Sequence, residues 1–72
     1  MVELRAPMAG TVARLGCRVG DRVEENEPVL HLEVMKMEAE LYAPASGVVR
    51  EVRVSEGDPV EEEDVLLLIE PV

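Results

Sequence analysis

Residues 33–38 read Glu33-Val34-Met35-Lys36-Met37-Glu38, and Lys36 is the only lysine in the chain. This stretch is the joint of an internal duplication. Residues 1–35 laid ungapped over residues 38–72, an offset of 37, bring Glu3, Leu4, Ala6, Pro7, Gly10 and Val12 onto Glu40, Leu41, Ala43, Pro44, Gly47 and Val49. The same offset carries Gly20-Asp21, Val23-Glu24-Glu25 and Glu33 onto Gly57-Asp58, Val60-Glu61-Glu62 and Glu70. One unit is written twice, and only Lys36 and Met37 stand between the copies.

Working outward from the joint, the flanking residues set a hairpin register. If Met35 and Lys36 are the two central residues of a tight turn, Val34 faces Met37, Leu32 faces Ala39 and Leu30 faces Leu41, an all-apolar set for one sheet face. The other face pairs Glu33 with Glu38, His31 with Glu40 and Val29 with Tyr42. A one-residue slip would mix the two sets, so the pairing is well specified. By this division Met37 points partly inward, which leaves Met35 as the more exposed of the two methionines. Two features go against local preference. Two-residue turns favour Asn-Gly or Asp-Gly because both central residues need positive φ, and Glu33 opposite Glu38 sets like charges face to face. Such departures mark functional sites.

The rest of the chain alternates in the same short period. Val2 to Arg5, Thr11 to Leu15, Cys17 to Val19, Arg22-Val23 and Val29 to Val34 read as strand segments in the first half, with Pro28 opening the last. Met37 to Tyr42, Val48 to Val54, Pro59-Val60 and Val65 to Ile69 read so in the second; Met8-Ala9-Gly10 reads as a turn or bulge and Ser46-Gly47 as a turn. No segment holds helical spacing over ten residues. The expectation is all-β: one domain over residues 1–72, a flattened barrel or sandwich of two four-stranded antiparallel sheets related by a pseudo-two-fold axis. Under that symmetry the central hairpin has a mate, with Leu67 facing Leu4 and Ile69 facing Val2. The chain ends then lie at one end of the molecule and Lys36 at the other.

Composition removes several function classes. A formal net charge of −9 without a Lys/Arg cluster argues against nucleic acid and anionic membranes, which need a basic surface. Tyr42 is the only aromatic residue, so no base-stacking platform exists. Cys17 is alone, which excludes an intramolecular disulfide or a thiolate-rich zinc site and points to a cytoplasmic location. The longest apolar run, Val65 to Ile69, is too short to span a membrane as a helix. No nucleophile–base or paired-carboxylate arrangement stands out, so the chain reads as a non-catalytic domain.

Glu33-Val34-Met35-Lys36-Met37-Glu38, preceded by Gly20-Asp21-x-Val23 and followed by Ala43-Pro44-x-x-Gly47-x-Val49, resembles the biotinyl domain of biotin-dependent carboxylases and decarboxylases. The likeness runs from Ala6-Pro7-Met8-x-Gly10 to the last strand. The family motif most often has Ala where Val34 stands, and Gly where Asn26 and Glu63 stand. Thr11 to Val23 is too short to hold the inserted loop of one acetyl-CoA carboxylase branch, so the likeness is to members without it. The resemblance implies a barrel-sandwich hybrid fold and a carrier role. Biotin would be joined covalently to Lys36 by a biotin protein ligase, then carboxylated by a biotin carboxylase and discharged by a carboxyltransferase. It further implies that Met35 and Met37 are contact residues of the attachment site and that Glu33 and Glu38 serve ligase recognition. Two alternatives stay open at this stage. One is a lipoyl carrier domain of a 2-oxo acid dehydrogenase type complex, whose tip commonly reads Asp-Lys-Ala; the other is an unmodified barrel-sandwich adaptor.

Overall fold

A computed structural model describes all of residues 1–72. The strands are β1 (Val2–Arg5), β2 (Gly10–Leu15), β3 (Arg22–Val23), β4 (Pro28–Val34), β5 (Met37–Tyr42), β6 (Gly47–Val52), β7 (Pro59–Val60) and β8 (Val65–Pro71). They form two four-stranded sheets of order β1-β8-β6-β3 and β5-β4-β2-β7, and every pairing is antiparallel. Exchanging β1 with β5, β2 with β6, β3 with β7 and β4 with β8 turns one sheet into the other. The duplication in the sequence is therefore a duplication in space, with each half contributing strands to both sheets.

The core shows why two copies are needed. Its buried members include the offset mates Ala6 and Ala43, Val12 and Val49, Val23 and Val60, Val29 and Leu66, Leu30 and Leu67, and Leu32 and Ile69. Cys17 and Leu41 complete it, and their mates Val54 and Leu4 pack against it partly buried. These residues are aliphatic or small, so stabilisation comes from many modest burials of apolar surface. One half alone would leave its inward face in water.

Outside the ladders the backbone is tied by hydrogen bonds that also come in mates. Gly20 N–H donates to Val49 O at 2.8 Å and Gly57 N–H to Val12 O at 2.7 Å. Asn26 N–H donates to Ala43 O and Glu63 N–H to Ala6 O, both at 2.8 Å. The Gly-Asp repeats act through their carboxylates: Asp21 Oδ2 accepts from Arg18 N–H at 3.0 Å and Asp58 Oδ2 from Ser55 N–H at 2.8 Å. Each half thus fastens its turns to the other half's strands. Asn26 and Glu63 both take positive φ, 70° and 74°, so the left-handed turn is kept without glycine at either site.

The hairpin register agrees with the sequence reading from Leu30↔Leu41 to Val34↔Met37, and Val2↔Ile69 and Leu4↔Leu67 join the chain ends. Other expectations need correction. Tyr42 pairs with Pro28, because a bulge between Pro28 and Leu30 interrupts the alternation. Val29 and Leu30 consequently both point into the core. Cys17 to Val19 is not a strand, and the sixth strand spans Gly47–Val52, ending before Val54. At both places the chain leaves its ladder through mated bonds, Gly16 N–H to Val29 O and Arg53 N–H to Leu66 O, each 2.8 Å.

Gly10 and Gly47 are strand residues, not turn residues. Their constraint is close backbone approach. A Cβ on Gly10 would lie 2.7 Å from Glu33 O, and one on Gly47 would lie closer still to Glu70 O. Gly47→Val is expected to destabilise the domain by about 2 kcal/mol or more in urea unfolding, since backbone must move to admit the side chain. The Cys17 thiol is buried, and that burial, with the Asp21 and Glu27 carboxylates, holds its pKa above the ordinary value. Labelling by a neutral thiol reagent at pH 8 should accordingly run at least about tenfold slower than with a free thiol and become fast in denaturant.

Candidate functional site

The site is the tip of the β4–β5 hairpin. Met35 and Lys36 have φ of 51° and 69°, the left-handed pair of a type I′ turn, whose twist matches that of the flanking strands. Neither residue type favours this region; each costs about 1 kcal/mol or more relative to a relaxed backbone. The strands beneath over-determine the turn. Leu30 and Leu32 are fully buried, and Val34 packs against the core at the base of the bend. Gly10 brings its backbone flush against Glu33 O and the Val34 side chain, where any side chain would collide.

The tip offers its side chains to solvent. Met35 is 92% exposed and Met37 74%. The exposure of Met37 corrects the expectation that it points partly inward: at the last pair before the turn the opposing sheet no longer covers the apolar face. Lys36 is exposed and makes no hydrogen bond or ion pair in the chain. With no hydrogen-bond or ion-pair partner in the chain, its amine is not activated as a nucleophile locally. The arrangement therefore holds out an amine for another protein to activate, with two adaptable thioethers beside it.

The acidic residues divide. Glu33 and Glu38 face each other, and His31 faces Glu40, as the register requires. Glu33 is exposed and takes part in no ion pair, whereas Glu38 Oε1 lies 3.1 Å from His31 Nδ1. His31 Nε2 is 3.9 Å from Glu40 Oε2. The His31–Glu38 contact is diagonal across the strands and escaped a reading that considered only directly opposed residues; the diagonal neighbours of His31 would have found it. The supporting role of Gly10 was likewise read as a turn or bulge. Two shallow surface concavities, one around Arg53, Asp58 and Glu63 and its symmetry mate around Cys17, Arg18 and Asp21, contain none of residues 33–38.

The tip thus presents the chain's only lysine, its side chain unpaired, on a tight bend of a twofold-repeated β-sandwich. The family model described as "Biotin-requiring enzyme" matches residues 2–69, and the chain belongs to this biotin/lipoyl attachment family. It is 54% identical over 35 residues, 49% of its length, to the biotin carboxyl carrier protein of Streptococcus mutans, and that stretch is 27% of the relative. The chain thus spans about a quarter of the length of the curated relatives it matches. A solved single-chain, multi-domain long-chain acyl-CoA carboxylase superposes at TM-score 0.92 with 32% identity, over 99% of this chain and 7% of that one. The lipoyl domain of the 2-oxoglutarate dehydrogenase complex from Azotobacter vinelandii superposes at 0.82 with 29% identity, over 97% and 96%.

Replacing Met35 and Lys36 together by Asn and Gly, which accept positive φ, should raise stability by about 1 kcal/mol in chemical denaturation while removing the acceptor amine.

Proposed function

We propose that this chain is a biotin carboxyl carrier domain, modified on Lys36 and without catalytic activity of its own. The observation that carries the proposal is the placement of the chain's only lysine, unpaired and exposed, at the tip of a left-handed turn between two exposed methionines. Attachment asks for one accessible primary amine, and Lys36 meets that demand. A biotin protein ligase would transfer the biotinyl group from its adenylate to Nζ; the amide bond forms, AMP leaves and the amine gives up a proton. Biotin, once attached, accepts and releases a carboxyl group, supplied by a biotin carboxylase and withdrawn by a carboxyltransferase.

This chain's residues present and orient. Burial of Leu30, Leu32 and Val34 beneath the bend supports a fixed point of attachment, so the reach of the arm is set by the lysine side chain and its cargo. Met35 and Met37 are proposed as the surface read by successive partners, and Glu33 and Glu38 as the charges a ligase recognises. The acidic surface supports protein partners over nucleic acid, and a cytoplasmic location is in keeping with the unpaired Cys17. The Met-Lys-Met tip favours biotin over lipoate, since the lipoyl pattern is Asp-Lys-Ala.

Coexpressed with a biotin protein ligase, the chain is expected to gain the mass of one biotinyl group and to bind avidin. Lys36→Arg should abolish both while leaving the thermal transition within a few degrees of the wild type. A lipoyl mass increment on Lys36, or an unmodified chain in the presence of active ligase, would refute the proposal.

A further inference from the structure

The outward face of β4 and β5 carries an asymmetry that the acidic motif alone does not explain. Glu33 and Glu38 are directly opposed in the pair next to the turn's closing pair, the closely spaced type in an antiparallel ladder. Two carboxylates so placed repel. The structure resolves the conflict from outside the motif: His31, two residues before Glu33 on β4, reaches diagonally to Glu38. A carboxylate oxygen only accepts, so His31 Nδ1 carries the hydrogen and donates. The His31 ring is the better buried partner, its side chain 27% exposed against 56% for Glu38. In the ladders His31 is paired with Glu40 on β5 and with Arg14 on β2.

This tether draws the Glu38 carboxylate back alongside position 31, away from the bend, and leaves Glu33 as the acidic residue of the motif with no side-chain partner. The symmetry mate of His31 is Leu68, so the feature is absent from the second copy and belongs to the tip. We infer that His31 is a positioning and specificity residue: it sets the orientation of Glu38 and thereby the arrangement of charge that a lysine-modifying ligase meets around Lys36. The inference rests on the carrier reading above. His31 itself touches neither the amine nor the incoming group.

The test is steady-state biotinylation of the whole chain by a biotin protein ligase, with the chain as varied substrate. Wild type, His31→Leu, His31→Asn, Glu38→Gln and the double variant His31→Leu/Glu38→Gln are compared after circular dichroism confirms a folded state for each. Asparagine places an N–H donor near the position of Nδ1. His31→Leu is expected to raise KM by about three- to tenfold, the scale of one charge-assisted hydrogen bond, with kcat unchanged, and His31→Asn to recover most of the loss. In the Glu38→Gln background the leucine substitution should add little, because the carboxylate it released is gone. Equal KM for wild type and His31→Leu, an effect on kcat alone, or the same loss with and without Glu38 would overturn the assignment. Those outcomes leave the carrier reading standing, because that reading is judged by whether the wild-type chain is biotinylated on Lys36, which none of them denies.

Discussion

Everything in this structure depends on one packing constraint: two sheets of short strands must bury a core made of aliphatic and small side chains. With 72 residues and no aromatic side chain but Tyr42, itself half exposed, a single half could not cover its own apolar face. The duplicated unit solves this by exchange. Each half places two strands in each sheet, so Leu30 and Leu67, Leu32 and Ile69, and Val29 and Leu66 join one buried cluster. The bulges obey the same rule: the irregularity between Val12 and Arg14 on β2 recurs between Val49 and Glu51 on β6. That between Pro28 and Leu30 lets two successive residues of β4 turn inward, and Leu66 and Leu67 do the same on β8.

The symmetry also defines where function can sit. Turns tied to the partner half, such as those at Gly20 and Gly57 or at Asn26 and Glu63, are committed to holding the halves together. Lys36 lies in neither copy, so no symmetry-related contact constrains it. The strain of two left-handed residues is borne by a hairpin whose base is buried and whose flank is closed by Gly10. Stability gathered in the core is thus used to keep an intrinsically disfavoured bend in place, with its amine and thioethers in water. This division separates a committed body from a free tip.

Charge follows the same division. Ion pairs on the body, Arg5 with Glu3, Arg50 with Glu70 and Arg53 with Glu51, are exposed and contribute little to stability. Around the tip no arginine takes part. There the histidine engages Glu38 in preference to Glu33. A lysine beside one free and one tethered carboxylate is a directional surface, a sounder basis for discrimination between partners than net charge alone.

Much of this was legible in the chain because duplication is a statement about sequence and space at once. The 37-residue offset, the alternation around Met35-Lys36 and the lone lysine together determined the all-β class, the two related sheets, the hairpin register up to Leu30 and the place of Lys36 at the hairpin tip. What local pattern could not carry was anything set by contacts between distant segments. The bulge that buries Val29, the non-strand course of Cys17 to Val19, and the strand setting of Gly10 and Gly47 all follow from backbone hydrogen bonds and close approaches to strands far along the chain. Met37 was assigned inward because alternation counts residues but does not say where the covering sheet ends. The diagonal hold of His31 on Glu38 needed side-chain reach as well as register. Sequence by itself determined the pairing partners, because period and repeat are written in order along the chain; tertiary structure alone decided exposure and orientation, because those depend on what lies opposite.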